Sequence, residues 1–138
     1  MSRGAGIVPG VEIADDTFIV AAPADVATVV ADPRRWRRWW PDLDLAVSRD
    51  RGPAGIVWSV HGPLEGEMEI WLEPVADGVV LHYLVRADTA DPRPARLRQR
   101  RTRDWKRHAH HLKDELEAGR EPGRPRPLAV KEREPGAE

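Results

Sequence analysis

The sequence predicts an α+β fold in which a curved antiparallel sheet of about five strands wraps around a long C-terminal helix. One segment rich in β-branched residues and four later segments that alternate apolar and polar residues predict the strands. Prolines delimit two short helices after the first strand. An amphipathic segment at residues 94–118 is long enough to cover one face of the sheet.

The N-terminal part of the domain is predicted to form a strand and then a short helix. Residues 11–21 are rich in β-branched and aromatic residues, which favour strands. Pro23 suits the first position of a helix, because its missing N–H removes no hydrogen bond there. The pair Asp32-Pro33 ends this helix, since the residue before a proline avoids the helical region.

An arginine-rich segment between Pro33 and Pro41 carries three of the six tryptophans in the chain. Trp36, Trp39 and Trp40 lie at spacings i, i+3 and i+4, so a helix places them on one face. Each aromatic side chain has roughly 150–250 Å² of surface to bury. This segment predicts a helix that closes one end of an apolar pocket, although plain core filling accounts for the same pattern.

The last two alternating segments predict a hairpin whose register can be checked against charge. A turn at Asp77-Gly78 pairs apolar residues on one face of this hairpin. On the other face, an indole meets an imidazole and a glutamate meets an arginine, so a slip by one residue would disrupt both faces. The predicted pairs are Leu72 with Leu81, Ile70 with Tyr83, Met68 with Val85, Trp71 with His82, and Glu67 with Arg86.

The long helix is predicted to carry an apolar stripe with ionisable residues beside it. The stripe consists of Trp105, Ala109, Leu112 and Leu116. At about 100° per residue, Arg98, Arg101 and His108 fall near this stripe. They predict either an anion-recognition point inside the fold or helix turns that extend past a short sheet into water.

The composition limits the classes of function. The chain has 138 residues, a net charge of −1 and no cysteine, which excludes disulfide frameworks, thiolate catalysis and zinc–thiolate sites. No segment approaches the roughly 20 apolar residues that span a bilayer, so we expect a cytoplasmic protein without integral membrane association. We divide the chain into a flexible arm at 1–10, a domain at 11–118 and a disordered tail rich in proline, arginine and glutamate at 119–138.

Signatures of specific chemistry are absent from the sequence. It contains no G-x-S-x-G, P-loop, G-x-G-x-x-G or H-E-x-x-H motif. His108, His110 and His111 do not share one helical face, so we predict no metal site, and we expect no cofactor. The arginines of residues 93–107 favour a solvated face or pairing with the acidic strand of a second copy over nucleic-acid binding.

Four stretches together carry a resemblance to a known superfamily. They are Ile19-Val-Ala-Ala-Pro-Ala-Asp-Val, then Val30-Ala-Asp-Pro-Arg-Arg-Trp-Arg-Arg-Trp-Trp-Pro, then Ile70-Trp-Leu-Glu-Pro with Gly78-Val-Val-Leu-His-Tyr, and Trp105 to Leu116. Residues 11–118 resemble the polyketide cyclase/START-related (SRPBCC, helix-grip) superfamily. The full fold of that superfamily has seven strands, whereas this sequence predicts five, so one central hairpin is absent.

The resemblance implies binding of a small hydrophobic, lipid- or polyketide-like ligand in a pocket between the sheet and the C-terminal helix. Members of the superfamily commonly hold lipids, polyketides, sterols or hormones, and a minority catalyse cyclisation or dehydration. A polyketide cyclase/dehydratase-type enzyme in the same pocket is therefore one alternative. A non-catalytic homodimeric interaction module is another, because a shortened sheet leaves apolar surface and a bare strand edge.

The predicted ligand-binding residues combine apolar side chains of the inner sheet face with ionisable groups of the long helix. Arg101 would orient a carboxylate or phosphate, and His108 or Tyr83 would act as acid or base in the enzyme alternative. The full predicted set is Trp39, Trp40, Trp58, Met68, Tyr83, Arg101, Trp105 and His108.

Overall fold

Five strands form one antiparallel sheet that packs against helices in the computed structural model, which describes residues 10–118. The elements in chain order are β1 (Val11–Ile19), α1 (Pro23–Val30), α2 (Pro33–Trp39), β2 (Asp44–Asp50), a short 3-10 turn (Gly52–Ala54), β3 (Gly55–His61), β4 (Glu65–Val75), β5 (Gly78–Asp88) and α3 (Pro94–Glu117). The strand order across the sheet is β1-β5-β4-β3-β2. The predicted fold class is confirmed. The predicted arm, apart from Gly10, and the predicted tail lie outside the described residues.

The hairpin of β4 and β5 has the predicted register at all five pairs. On its inner face, Ile70 pairs with Tyr83, and both side chains are buried. On its outer face, the rings of Trp71 and His82 stack with centroids 4.3 Å apart. The alternation of side chains therefore determined which residues enter the core.

Two acidic residues at the centre of β1 have partners on neighbouring elements. Lys106 of α3 places its Nζ 3.0 Å from a carboxylate oxygen of Asp15 and donates to the backbone oxygen of Asp16 at 3.0 Å. The carboxylate of Asp16 in turn contacts Nδ1 of His82 at 2.6 Å. These contacts explain how a strand with a polar centre lies between β5 and α3.

The first strand ends two residues earlier than the sequence predicts. Val20 does not continue the strand, because its N–H donates to Oε2 of Glu117 at 2.8 Å. The Nζ of Lys113 donates to the same carboxylate oxygen at 2.8 Å. The last turn of α3 is therefore joined to the end of β1.

The apolar stripe of α3 faces the sheet as predicted. Trp105, Ala109 and Leu112 are buried, and Leu116 is half-buried against the core. Leu97 adds a buried residue one turn from the start of the helix, which the sequence analysis did not assign to the stripe. Arg98 is exposed near the start of α3, so for this residue the alternative of helix turns that extend past the sheet into water holds. None of the helices described between residues 10 and 118 is long and apolar enough to cross a membrane.

Candidate functional site

Helix α2 is capped at its N-terminus and bonded to both α1 and α3. Asp32 caps its N-terminus by accepting from the backbone N–H of Arg34 at 3.0 Å. The indole N–H of Trp36 donates to the carbonyl of Val30 at 2.6 Å, which joins α2 to the end of α1. Arg35 forms a two-pronged pair with Glu115 of α3, at 2.9 and 2.6 Å. Such fork-to-fork pairing fixes orientation, so the tryptophans of α2 face a defined part of α3.

Aromatic rings from α2, β5 and α3 stack where the sheet meets the helices. The ring of Tyr83 stacks on Trp105 with centroids 4.3 Å apart. Trp40 is nearly parallel to both, with centroids 6.0 Å from Tyr83 and 5.7 Å from Trp105. Trp39 meets Trp105 edge-on at 5.6 Å, and Trp58 meets Trp40 at 5.2 Å. These rings fill much of the space between the sheet and α3.

A pocket of about 410 Å³ opens beside these rings, between α2 and α3. We call it the α2–α3 pocket. Its lining consists of Arg38, Trp39, Trp40, Pro41, Asp42, Tyr83, Arg100, Arg101, Asp104, Trp105, Arg107 and His108. Six of the eight predicted ligand-binding residues line it, and the other two, Trp58 and Met68, lie deeper in the core.

Several polar atoms around the pocket are buried without a hydrogen-bond partner among the described residues. They are the indole nitrogens of Trp58 and Trp105 and the Nε of Arg101. The hydroxyl of Tyr83 donates to the thioether sulfur of Met68, at 3.4 Å, and sulfur is a weak acceptor. Burial raises the pKa of Tyr83, so this phenol stays protonated.

The rim of the pocket carries more positive than negative charge. Four arginines and two aspartates line it. Within this rim, Arg101 pairs with Asp42 across the mouth, and Arg107 pairs with Asp104 along α3 at 3.2 Å. Partial burial and the neighbouring Arg107 lower the pKa of His108, so its imidazole is neutral near pH 7.

The arrangement is better suited to binding than to proton transfer. The aromatic side chains of the wall are each at most 6% exposed, and the arginines of the rim supply hydrogen-bond donors. The two acid–base candidates differ in access, because the hydroxyl of Tyr83 is buried against Met68 whereas His108 is half-buried at the rim. No group of three potential metal ligands occurs between residues 10 and 118.

Sequence reasoning missed several residues of the rim. Arg100, Asp104 and Arg107 lie at i, i+4 and i+7 on the face of α3 next to the predicted Arg101, Trp105 and His108. Their helical spacing could have predicted a second row of lining residues beside the predicted one. Asp42 gave no such signal, since its role depends on the position of the loop after α2.

Comparisons with known proteins agree with this fold. No family model matches the sequence, and no curated protein does either. Three solved structures with similar folds are the Aha1 dimer from Colwellia psychrerythraea, a START superfamily protein from Mycobacterium smegmatis, and the di-domain ARO/CYC StfQ from the steffimycin biosynthetic pathway.

The similarity lies in the fold and hardly in the sequence. The Aha1 structure aligns with a TM-score of 0.59 at 18% identity, covering 80% of this chain and 99% of that one. The START protein aligns with a TM-score of 0.55 at 13% identity, covering 77% and 97%. StfQ aligns with a TM-score of 0.52 at 16% identity over 76% of this chain, which spans about half (51%) of StfQ. The predicted resemblance is confirmed at the level of the fold, which is SRPBCC/polyketide cyclase-like.

Proposed function

We propose that this protein binds a small, mainly apolar molecule in the α2–α3 pocket. The observation that carries the proposal is the pocket itself, an open space of about 410 Å³. The rings of Trp40, Tyr83 and Trp105 stack along its inner wall. Its volume falls within the range of roughly 300–1,000 Å³ that is common for small-molecule sites. Aromatic walls with a few fixed polar groups are also typical of such sites.

The polar atoms of the wall support the same proposal. Burying an N–H group without an acceptor costs free energy, of about 1–3 kcal/mol in proteins. The indole nitrogen of Trp105 and the Nε of Arg101 are two such groups in residues that line the pocket. A ligand that brings acceptor oxygens to this wall would satisfy them, so we expect an apolar body with at least one acceptor.

Filling the pocket with protein atoms tests the proposal. The probe is N-phenyl-naphthylamine, an uncharged fluorescent molecule that brightens in apolar sites. In His108→Trp, a further indole occupies the pocket, and we expect probe affinity to fall by about tenfold or more. His110→Trp is the matched control, because His110 is exposed on the same helix and does not line the pocket.

Two results would reject this function. One is the absence of saturable probe binding to the wild-type protein. The other is an equal loss of affinity in His108→Trp and His110→Trp, since the loss would then come from disturbing α3 rather than from filling the pocket. Circular dichroism of both variants shows whether the helices are retained.

Self-association is a second candidate function, which exposed apolar side chains of the outer sheet face support. Phe18, Trp71 and Leu84 point to this face and are each more than a third exposed. Acidic residues such as Glu67 lie among them, whereas exposed arginines such as Arg103 lie on α3. The acidic sheet face of one copy and the basic helix face of another are therefore complementary in charge.

Sedimentation velocity over a range of protein concentrations tests this second candidate. We expect a concentration-dependent dimer that weakens at high salt and is lost in Leu84→Glu, which places a charge in the outer face. A strict monomer at high protein concentration and low salt would exclude it.

A further inference from the structure

We infer that the ligand of the α2–α3 pocket carries an oxyanion that binds Arg101, and that Asp42 occupies this anion position in the absence of ligand. The inference rests on the proposed function and specifies the class of ligand. Asp42 then acts as an internal competitor, so only molecules with both an apolar body and an anionic group displace it efficiently.

The state of the Arg101 guanidinium is the first observation. Its side chain is only 12% exposed, yet its charge must be balanced within the protein. Its Nη2 donates to Asp42, while its Nε is buried without a partner among the described residues. The Nε and an Nη of arginine form the edge that holds a carboxylate with two parallel hydrogen bonds. Of the two N–H donors on this edge of Arg101, Nη2 is bonded to Asp42 and Nε has no partner among the described residues. One of the two parallel hydrogen bonds is therefore missing.

The exposure of Asp42 is the second observation. Its side chain is 52% exposed and lies in the loop between α2 and β2, outside both elements. A carboxylate in that position is hydrated easily, so releasing it into water costs little compared with releasing a buried one. The side chain of Arg101 is mostly buried, so displacing its charged group costs more. Exchange of Asp42 for a ligand anion is therefore cheaper than exchange of Arg101.

The surrounding charge is the third observation. The same pocket is lined by Arg38, Arg100 and Arg107. When the charges of Arg101 and Asp42 cancel, these three positive charges face one remaining aspartate of the lining. A positive rim attracts anions and raises the rate at which they reach the site. The stacked rings of Tyr83 and Trp105 lie next to this rim, so one ligand can contact both.

A matched pair of probes separates the anion from the apolar body. Anilinonaphthalene sulfonate and N-phenyl-naphthylamine share their ring systems and differ in the sulfonate. Fluorescence titrations give the dissociation constants of both probes for the wild type, Asp42→Asn and Arg101→Gln. Two control variants change the charge by the same amount elsewhere: Asp104→Asn at the rim of the same pocket, and Arg103→Gln on the exposed face of α3.

We expect Asp42→Asn to bind the sulfonate probe about tenfold more tightly, because its competitor for Arg101 is gone. Arg101→Gln should bind this probe at least about tenfold more weakly. The dissociation constant of the uncharged probe should change by less than about twofold in both variants. The control variants Asp104→Asn and Arg103→Gln should change the affinity for the sulfonate probe far less than Asp42→Asn and Arg101→Gln do. Arg101→Lys keeps the charge without the two-pronged edge, and should recover only part of the affinity.

The outcomes distinguish this inference from the proposed function. If the uncharged probe binds while Asp42→Asn leaves the sulfonate probe unchanged, the inference is overturned and the apolar pocket stands. An equal gain for both probes in Asp42→Asn also overturns it, since the substitution would then have widened the pocket. If neither probe binds the wild type, the proposed function fails and the inference fails with it. A gain confined to the sulfonate probe, lost again when Arg101→Gln is added to Asp42→Asn, supports the inference.

Discussion

Removing the side chain of Trp105 should weaken the fold strongly. It is 2% exposed and touches three other aromatic rings, those of Tyr83, Trp40 and Trp39, at centroid distances of 4.3, 5.7 and 5.6 Å. The substitution Trp105→Ala removes all three contacts and leaves a cavity between α3 and the sheet. Its indole nitrogen has no hydrogen-bond acceptor among the residues that the structure describes, so no such bond is lost with it.

The expected loss of stability follows from burial and ring contacts. Replacing a buried tryptophan by alanine costs about 3–5 kcal/mol, and each aromatic pair contributes about 0.5–1.5 kcal/mol beyond its buried area. With three pairs broken, we expect a loss near the upper end, about 4–5 kcal/mol. Since single domains are stable by only about 5–15 kcal/mol, this variant should lie close to the limit of folding.

Trp71→Ala is the matched control for Trp105→Ala. Trp71 is 39% exposed on the outer face, where it stacks on His82. Losing this cross-strand pair should cost about 1 kcal/mol or less. Urea denaturation of both variants, followed by circular dichroism, measures the two free energies of unfolding.

A gap of less than about 1.5 kcal/mol between these two variants would refute the reasoning, because Trp105 would then not be a central core residue. If Trp105→Ala does not fold, Trp105→Phe retains one ring. It should still lose more stability than Trp71→Phe.

Two further predictions concern the sheet. Burial alone would lower the pKa of His82, but hydrogen bonds to Glu73 and Asp16 outweigh it and raise the pKa above 6.5. The imidazolium therefore stabilises the fold below about pH 6.5, and this contribution is lost as pH rises through the folded-state value. His82→Gln should abolish that part of the pH dependence in urea midpoints, and an unchanged profile would contradict it. Gly55 has a φ of 125°, and a Cβ there would overlap a carbonyl of β4, whereas a Cβ at Gly52, with a φ of 59°, meets open space. Gly55→Ala should lower the thermal midpoint far more than Gly52→Ala, and equal shifts would disprove this.

Local patterns predicted the fold because side-chain period and turn chemistry agree in this chain. The register of the β4–β5 hairpin followed from one turn and from alternation, and both faces match. The end of β1 could not be predicted in this way. It depends on a hydrogen bond from Val20 to Glu117, residues 97 positions apart, and no local pattern carries such a contact.

The candidate site was predictable in its apolar part and only partly in its charged part. Trp39, Trp40 and Trp105 followed from helical spacing, since an apolar stripe must face the core. Arg101 also followed from its place beside the stripe. Its partner Asp42, 59 residues away, depends on how the loop after α2 approaches α3. Pairing of charges across loops is set by tertiary structure and leaves no periodic signal.

The α2–α3 pocket opens between helices, so the selectivity of the proposed binding site should reside there. The backbone of α3 approaches the sheet most closely along β1. The tryptophans of α2 cover the inner face farther along, where Trp58 of β3 lies. Because rings already occupy that inner face, a ligand would meet the strands chiefly through Tyr83 and would contact α2 and α3 over most of its surface. Substitutions on facing sides of the two helices should therefore change which ligand binds, while substitutions on the strands should change mainly stability.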